Sequence, residues 1–185
     1  MEHLQIKQLK DMEVAFSKVF KAKDPFEDAF NNNIKSKLLI FPTTGYYLTQ
    51  KQYASLTNLL ISFEENSFYI SEVEGNCFSL DQDPTSYKHV HWKMNSDCKY
   101  DEYLKIPLAL ENAIYSVNGR WGMIVSHEDH AIFGGDRAFI QKFKELYTDW
   151  EDDQNKFIQK WKENEVYSRI STQWVEKLLA AIDKS

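Results

Sequence analysis

Hydrophobic residues recur at intervals of three and four at the start of the chain, which is the period of an amphipathic helix. The positions are Leu4, Leu9, Met12, Phe16, Val19 and Phe20. The next segment, Asp24-Pro25-Phe26-Glu27, is typical of a new helix start with Asp24 as its cap, and the short helix is predicted to end by about residue 30. Another helix is predicted from 49 to 63, because Thr49 and Gln52 form a capping-box pattern ahead of a hydrophobic stripe.

The pattern changes to the period of a strand in the middle of the chain. Residues 37–41 form a compact apolar run that predicts a buried strand. Further strands are predicted at 68–74, 77–80, 87–94, 113–116, 120–126 and 131–133, with the strongest turn signal at Asn118-Gly119. Helical spacing returns after Asp136, which can cap a helix, and two more helices are predicted at about 151–164 and 171–183.

These elements predict a single α+β domain that spans residues 1–185. Residues 1–63 are mainly helical with one strand, residues 64–135 mainly β, and residues 136–185 helical. Strands that cluster between two helical regions favour an antiparallel sheet of about five strands, flanked by the N- and C-terminal helices and covered on one face. A chain of 185 residues can bury a sizeable core without a disulfide or a metal.

The charge of the chain narrows the classes of partner. The net charge is -6, and residues 61–115 alone carry ten Asp and Glu against four Lys and Arg. Nucleic-acid binding requires concentrated positive charge, so we expect no nucleic-acid partner. The sequence contains neither a signal peptide nor an apolar run long enough to span a membrane, so we expect a cytoplasmic protein without a membrane contact. No cofactor motif occurs, and the oligomeric state is left open.

Two acidic clusters predict a surface for a basic protein partner. Trp150, Glu151, Asp152 and Asp153 place an aromatic residue beside three carboxylates, which is the composition of an interface hot spot. Glu72 and Glu74 lie two apart on a predicted strand, so both are expected to point into solvent and to widen that surface. The alternative is that acids at a helix start only favour the helix dipole and that Trp150 belongs to the core.

Four histidines raise the possibility of metal chemistry. His89 and His91 lie two apart on a predicted strand, and His127 and His130 flank a predicted turn. Imidazole is the commonest metal ligand, so these four positions are weak candidates for the site of a metal-dependent hydrolase. The spacing matches no standard metal motif and no Gly-x-Ser-x-Gly sequence occurs, so the alternative is that the histidines are polar residues on the surface.

One segment resembles a known class of protein. The hairpin from Ala113 to Ser126, the following Phe133-Gly134-Gly135 and Phe139 in the next helix resemble small uncharacterised bacterial cytoplasmic proteins, some of which look like immunity proteins of polymorphic toxin systems. The resemblance implies an α+β domain that binds a protein, and it carries over no catalytic residues. The leading hypothesis is therefore a non-enzymatic protein-binding domain, with an immunity or inhibitor role as one form of it. A metal-dependent hydrolase and a subunit with an aromatic oligomer interface remain alternatives.

Overall fold

The structure, a computed structural model, describes residues 6–74, 90–168 and 172–183. They form a single α+β domain with one antiparallel sheet of six strands, one more than the sequence predicts. The helices are α1 (Ile6–Val19), α2 (Gln50–Ser62), α3 (Tyr100–Tyr103), α4 (Arg137–Leu146), α5 (Trp150–Ser168) and α6 (Gln173–Asp183). The strands are β1 (Ser36–Ile40), β2 (Ser67–Glu72), β3 (His91–Asn95), β4 (Asn112–Ser116), β5 (Gly122–Val125) and β6 (Ala131–Gly135). Their order across the sheet is β1-β6-β5-β4-β2-β3.

Local signals in the sequence predict most of the element boundaries correctly. The side chain of Thr49 accepts a hydrogen bond from the backbone of Gln52 and the Gln52 side chain accepts one from the backbone of Thr49, which completes the capping box of α2. The Asp136 carboxylate accepts a hydrogen bond of 2.8 Å from the backbone N–H of Phe139 and caps α4. Gly119 adopts a φ of 70° in the turn between β4 and β5. The predicted strand at 77–80 lies outside the described residues.

The predicted helix after Asp24 is wrong. Asp24 Oδ1 instead accepts a hydrogen bond of 2.8 Å from the backbone N–H of Phe26, which forms a turn. The backbone of the next residues then pairs with the end of α1, because Ala29 O accepts from Lys21 N at 2.8 Å and Val19 O accepts from Asn31 N at 2.9 Å. We call residues 20–35, which join α1 to β1, the connecting segment.

The sheet is covered on both faces, which corrects the prediction of a single covered face. One hydrophobic cluster contains α2, α3 and α4 with strand residues such as Phe68 and Ile114. The other contains α1, the connecting segment, α5 and α6 with strand residues such as Tyr69 and Tyr115. Successive residues of one strand therefore serve opposite cores, so these strands carry little polar alternation. Within the described ranges, every helix is too short or too polar to cross a lipid bilayer.

Two glycines let the connecting segment lie directly on the sheet. A Cβ atom on Gly122 would stand 2.6 Å from a ring carbon of Phe20, and one on Gly134 would stand 2.6 Å from a ring carbon of Phe30. Real side chains essentially never approach so closely, so both positions require glycine for this packing. The backbones of β5 and β6 thus support the segment that lines both clefts described below.

Candidate functional site

The structure places Glu72 and Glu74, which were predicted to share one exposed surface, in different environments. Glu72 is buried, and its Oε1 accepts hydrogen bonds from the backbone N–H groups of Ala109 at 2.7 Å and Leu110 at 3.2 Å. The prediction that Glu72 points into solvent is therefore wrong, because its face of β2 packs against the core and its carboxylate holds the chain that leads to β4. Glu74 lies beyond the end of β2 and is exposed.

The acidic cluster at the start of α5 is also only partly a surface. Asp153 is 5% exposed; it accepts a short hydrogen bond from the Tyr147 hydroxyl and pairs with Lys156 at 2.8 Å. Burial, together with this bond to Asp153, raises the pKa of Tyr147. Trp150 is half-buried against the core, with the Lys144 ammonium 4.1 Å from its ring centroid. The exposed acids of the cluster are Glu151 and Asp152.

The histidines are separated rather than gathered around one point. His91 is buried, and its Nδ1 lies 2.8 Å from Ser71 Oγ, which in turn lies 2.8 Å from the Tyr115 hydroxyl. His130 is also buried, and His89 lies outside the described residues. Within the part of the chain that the structure describes, no three His, Cys, Asp or Glu side chains stand close enough to hold a metal. The surface interpretation is wrong for His91 and His130, and it fits His127, whose side chain is 51% exposed.

His130 lies under the turn that carries His127. Its Nε2 stands 3.3 Å from the Pro25 carbonyl oxygen, and its ring contacts Phe26, Phe157 and Trp174. Burial lowers the pKa of His130 to about 4, and it outweighs the backbone hydrogen bonds at Pro25 and Glu128, which act in the opposite direction. The imidazole is therefore neutral at physiological pH and serves as an aromatic packing element.

Chemically active side chains do meet around His127, in a cleft of about 420 Å³. We call it the His127 cleft, and its described lining consists of Lys23, Asp24, Phe26, Val73, Glu74, Glu111 and His127. The connecting segment, the end of β2, the start of β4 and the turn after β5 each contribute to it. Three carboxylates thus line the cleft together with a single lysine and an imidazole.

The centre of the cleft is a carboxylate–imidazole pair. Glu111 Oε1 lies 2.7 Å from Nδ1 of His127, and the Ser126 hydroxyl donates to the same oxygen at 3.4 Å. The Glu111 side chain is only 12% exposed, whereas that of His127 is 51% exposed, and Nε2 of His127 lies 3.6 Å from Glu128 Oε1. The carboxylate fixes the orientation of the ring, so the pair can hold a cation or exchange a proton at Nε2.

Phe26 forms the apolar wall of the His127 cleft. Its ring centroid lies 5.8 Å from that of His127 and 5.0 Å from that of Trp174, both with edge-to-face geometry. Sequence reasoning did not identify Phe26, Asp24 or Glu111 as site residues. The four segments of the cleft are far apart in the chain, so no spacing pattern could have joined them. In the sequence, Glu111 differs from other glutamates only in preceding a predicted strand.

A search of family models, curated proteins and solved structures finds no match to this chain.

Proposed function

We propose that this protein is a non-enzymatic protein-binding domain that receives a basic segment of its partner in the His127 cleft. The observation that supports the proposal is the convergence of Asp24, Glu74 and Glu111 beside Phe26, in a protein whose net charge is -6. The acidic and aromatic surface expected from the sequence is thereby assigned mainly to this cleft rather than to the start of α5. Glu74 belongs both to the acidic surface predicted from the sequence and to the lining of the His127 cleft.

The chemistry of the cleft favours an arginine or lysine side chain. The Glu111 carboxylate is largely shielded from water, and a charge-assisted hydrogen bond is stronger in such surroundings than at an open surface. The Phe26 and His127 rings can contact the alkyl stem or the cationic head of the incoming side chain. The exposed Asp24 and Glu74 lie at the rim, where charges mainly accelerate encounter with a basic partner.

An inhibitor or immunity role is the form of this proposal that the resemblance of segment 113–139 supports. Such a protein blocks its target by covering a functional surface, and an acidic cleft suits a target with a basic one. The proteins that this segment resembles are cytoplasmic, and the proposal takes the same location. The role requires no cofactor.

A direct test uses a fluorescently labelled hexa-arginine peptide as the basic ligand, with binding followed by fluorescence anisotropy. We expect the double variant Asp24→Asn/Glu74→Gln to bind about tenfold more weakly than the wild type, because two carboxylates of the cleft are lost. Asn retains the oxygen that accepts the Phe26 N–H hydrogen bond, so the turn is preserved.

The matched control is Glu151→Gln/Asp152→Asn, which removes the same two charges from the start of α5. It should change the affinity by less than about twofold if the His127 cleft is the binding site. An equal loss in both variants would show that the peptide responds to net charge alone, and the assignment of the cleft would then be wrong. A larger loss of affinity in the control variant would instead assign the binding site to the start of α5.

A hydrolase is the second candidate, and the observation that favours it is the Glu111–His127 pair. A carboxylate that orients a half-exposed imidazole is the arrangement of a general base. Turnover of p-nitrophenyl acetate and p-nitrophenyl phosphate, measured with and without added zinc or manganese, tests this candidate. Activity that disappears in His127→Gln while hexa-arginine binding persists would favour the hydrolase over the binding domain.

A further inference from the structure

A second cleft, of about 600 Å³, is lined by a later part of the connecting segment. It is bounded by the end of that segment, the start of β1 and the C-terminal half of α6. The residues that decide its chemistry are Asp28, Ile34, Lys35, Lys37, Lys177 and Ala180. We call it the lysine cleft. Its volume falls in the range of small-molecule sites.

One end of the lysine cleft holds a shared ion pair. The Lys37 ammonium, whose side chain is 11% exposed, lies 2.9 Å from Asp28 Oδ1, and the Lys21 ammonium lies 3.0 Å from Asp28 Oδ2. Burial alone would raise the pKa of Asp28, but the hydrogen bonds from Lys37 and Lys21 outweigh it and keep the pKa below its usual value. One ionised carboxylate therefore faces two ammonium groups, which leaves a surplus of positive charge.

Two further lysines, Lys35 and Lys177, line the cleft and add to this surplus of positive charge. Lys35 donates a hydrogen bond of 2.8 Å to the Asn32 carbonyl oxygen, which is neutral, and forms no ion pair with any residue that the structure describes. Among the same residues, no carboxylate lies within ion-pair distance of Lys177. The described lining thus carries three ammonium groups, those of Lys35, Lys37 and Lys177, against the carboxylate of Asp28, whereas Lys21 lies outside the lining. This excess is local, because the whole chain carries a net charge of -6.

The rest of the described lining of the lysine cleft is mixed, because Asn31 and Asn32 stand beside the apolar residues Phe30, Ile34, Ala180 and Ala181. Among the apolar residues, Ile34 is buried, and Ala180 and Ala181 belong to α6. Small residues on α6 leave the space open. A ligand that fits both walls therefore combines an anionic group with an apolar body.

We propose that the lysine cleft binds a phosphate monoester with a short apolar body. A phosphate monoester carries a charge close to -2 at neutral pH, which matches the three ammonium groups less the Asp28 carboxylate better than a single carboxylate would. The site is independent of the His127 cleft, since the two share no lining residue. The proposal therefore does not rest on the function proposed above.

Octyl phosphate is the probe, and isothermal titration calorimetry is the measurement. We expect octyl phosphate to bind at least about tenfold more tightly than either inorganic phosphate or octanol, since only the ester engages both walls. The double variant Lys35→Ala/Lys177→Ala should weaken this binding by at least about tenfold. Both side chains are exposed, so their loss should not disturb the fold.

Two further variants complete the test. Lys10→Ala/Lys162→Ala removes the same charge from exposed positions on α1 and α5 outside the cleft, and it should change the affinity by less than about twofold. Ala180→Glu places a carboxylate at the wall and should abolish binding. No detectable heat with the wild type, or equal losses in the two lysine doubles, would overturn the proposal.

The same phosphate group can belong to a soluble ester or to a lipid headgroup. Sedimentation with vesicles that contain phosphatidic acid separates these sources. Binding of octyl phosphate without vesicle binding identifies a soluble ester. Vesicle binding that the Lys35→Ala/Lys177→Ala variant abolishes identifies the lipid headgroup, whereas vesicle binding that survives in this variant and in Ala180→Glu would contradict the assignment of the cleft.

Discussion

The two clefts of this protein share the connecting segment and differ in the sign of their charge. In the His127 cleft, the most buried carboxylate, Glu111, is paired with an imidazole, and two further carboxylates remain at the rim. In the lysine cleft, the carboxylate of Asp28 is shared by Lys21 and Lys37, and two further lysines remain. The difference shows that the local charge of a cleft depends on the counter-ions around its carboxylates and can oppose the net charge of the chain.

The two parts of the connecting segment are also held in different ways. The part beside the His127 cleft is held by aromatic contacts, with Phe26 packed on His130 and Trp174. The part beside the lysine cleft is held by close approach to the sheet, with Phe30 resting on the backbone of Gly134. Acidification should therefore disturb the first part, and steric change at the sheet should disturb the second.

Acidification should cause the strongest loss of stability, and this loss depends on His130. Its folded pKa of about 4 lies below the unfolded value of 6.5, so between these values the unfolded chain binds the proton first. The contribution is constant above about pH 6.5, and it is lost as the pH falls towards 4, which amounts to roughly 3 kcal/mol over the whole window. Urea unfolding at a series of pH values measures it.

The matched variant for this prediction is His130→Gln, whose amide can still donate a hydrogen bond near Pro25. Its absolute stability is lower because packing is lost, but its stability should vary less with pH across this window. The difference in slope isolates His130 from the carboxylates that titrate in both proteins. Equal slopes would show that His130 takes up its proton in the folded state as readily as in the unfolded chain.

A smaller effect is expected from Gly134→Ala, which tests how the lysine cleft is supported. The new Cβ would stand 2.6 Å from a ring carbon of Phe30 and 2.7 Å from a methyl carbon of Ile34, so both side chains must shift. We expect a loss of about 1–3 kcal/mol in the free energy of unfolding. Octyl phosphate binding should weaken in the same variant, whereas hexa-arginine binding should persist.

The neighbouring substitution Gly135→Ala is the control, because its Cβ points to the opposite face of the sheet. The nearest atom there is a ring carbon of Phe139 at 3.2 Å, so the cost should stay below about 1 kcal/mol. Thermal unfolding followed by circular dichroism compares the two variants. Similar destabilisation of both would mean that the close approach of Phe30 to β6 is unimportant.

The smallest expected effect is a gain in affinity from Asp28→Asn. Removal of the only carboxylate in the described lining of the lysine cleft increases its positive charge, so octyl phosphate should bind about threefold more tightly. Hexa-arginine binding should change little, because Asp28 does not line the His127 cleft. A weaker affinity for octyl phosphate would show that Asp28 positions Lys37 more than it opposes the ligand.

Local signals explain where prediction from the sequence succeeds. The caps at Thr49 and Asp136 and the turn at Gly119 depend on neighbours within a few residues, so the chain specifies them without reference to the rest of the fold. The helix predicted after Asp24 fails because the same residues form hydrogen bonds to the end of α1, which competes with a local helix.

Few residues of the candidate site could be predicted from the sequence. His127 and Glu74 were among the predicted positions, but for separate reasons and in separate sites. Glu72 and Asp153 were assigned to a surface because a polar residue is usually exposed, whereas both are buried with hydrogen-bond partners. Burial of this kind depends on which elements cover each face of the sheet.

Hydrophobic period and capping chemistry act over short distances along the chain, so the α+β class, the antiparallel strands and most helix ends could be predicted from the residues alone. The folded chain was needed to show that both faces of the sheet are covered and that Asp24, Glu74, Glu111 and His127 meet. Contacts between segments that are distant in the chain depend on core packing and on hydrogen bonds to buried polar groups. Neither of these produces a repeating pattern in the sequence.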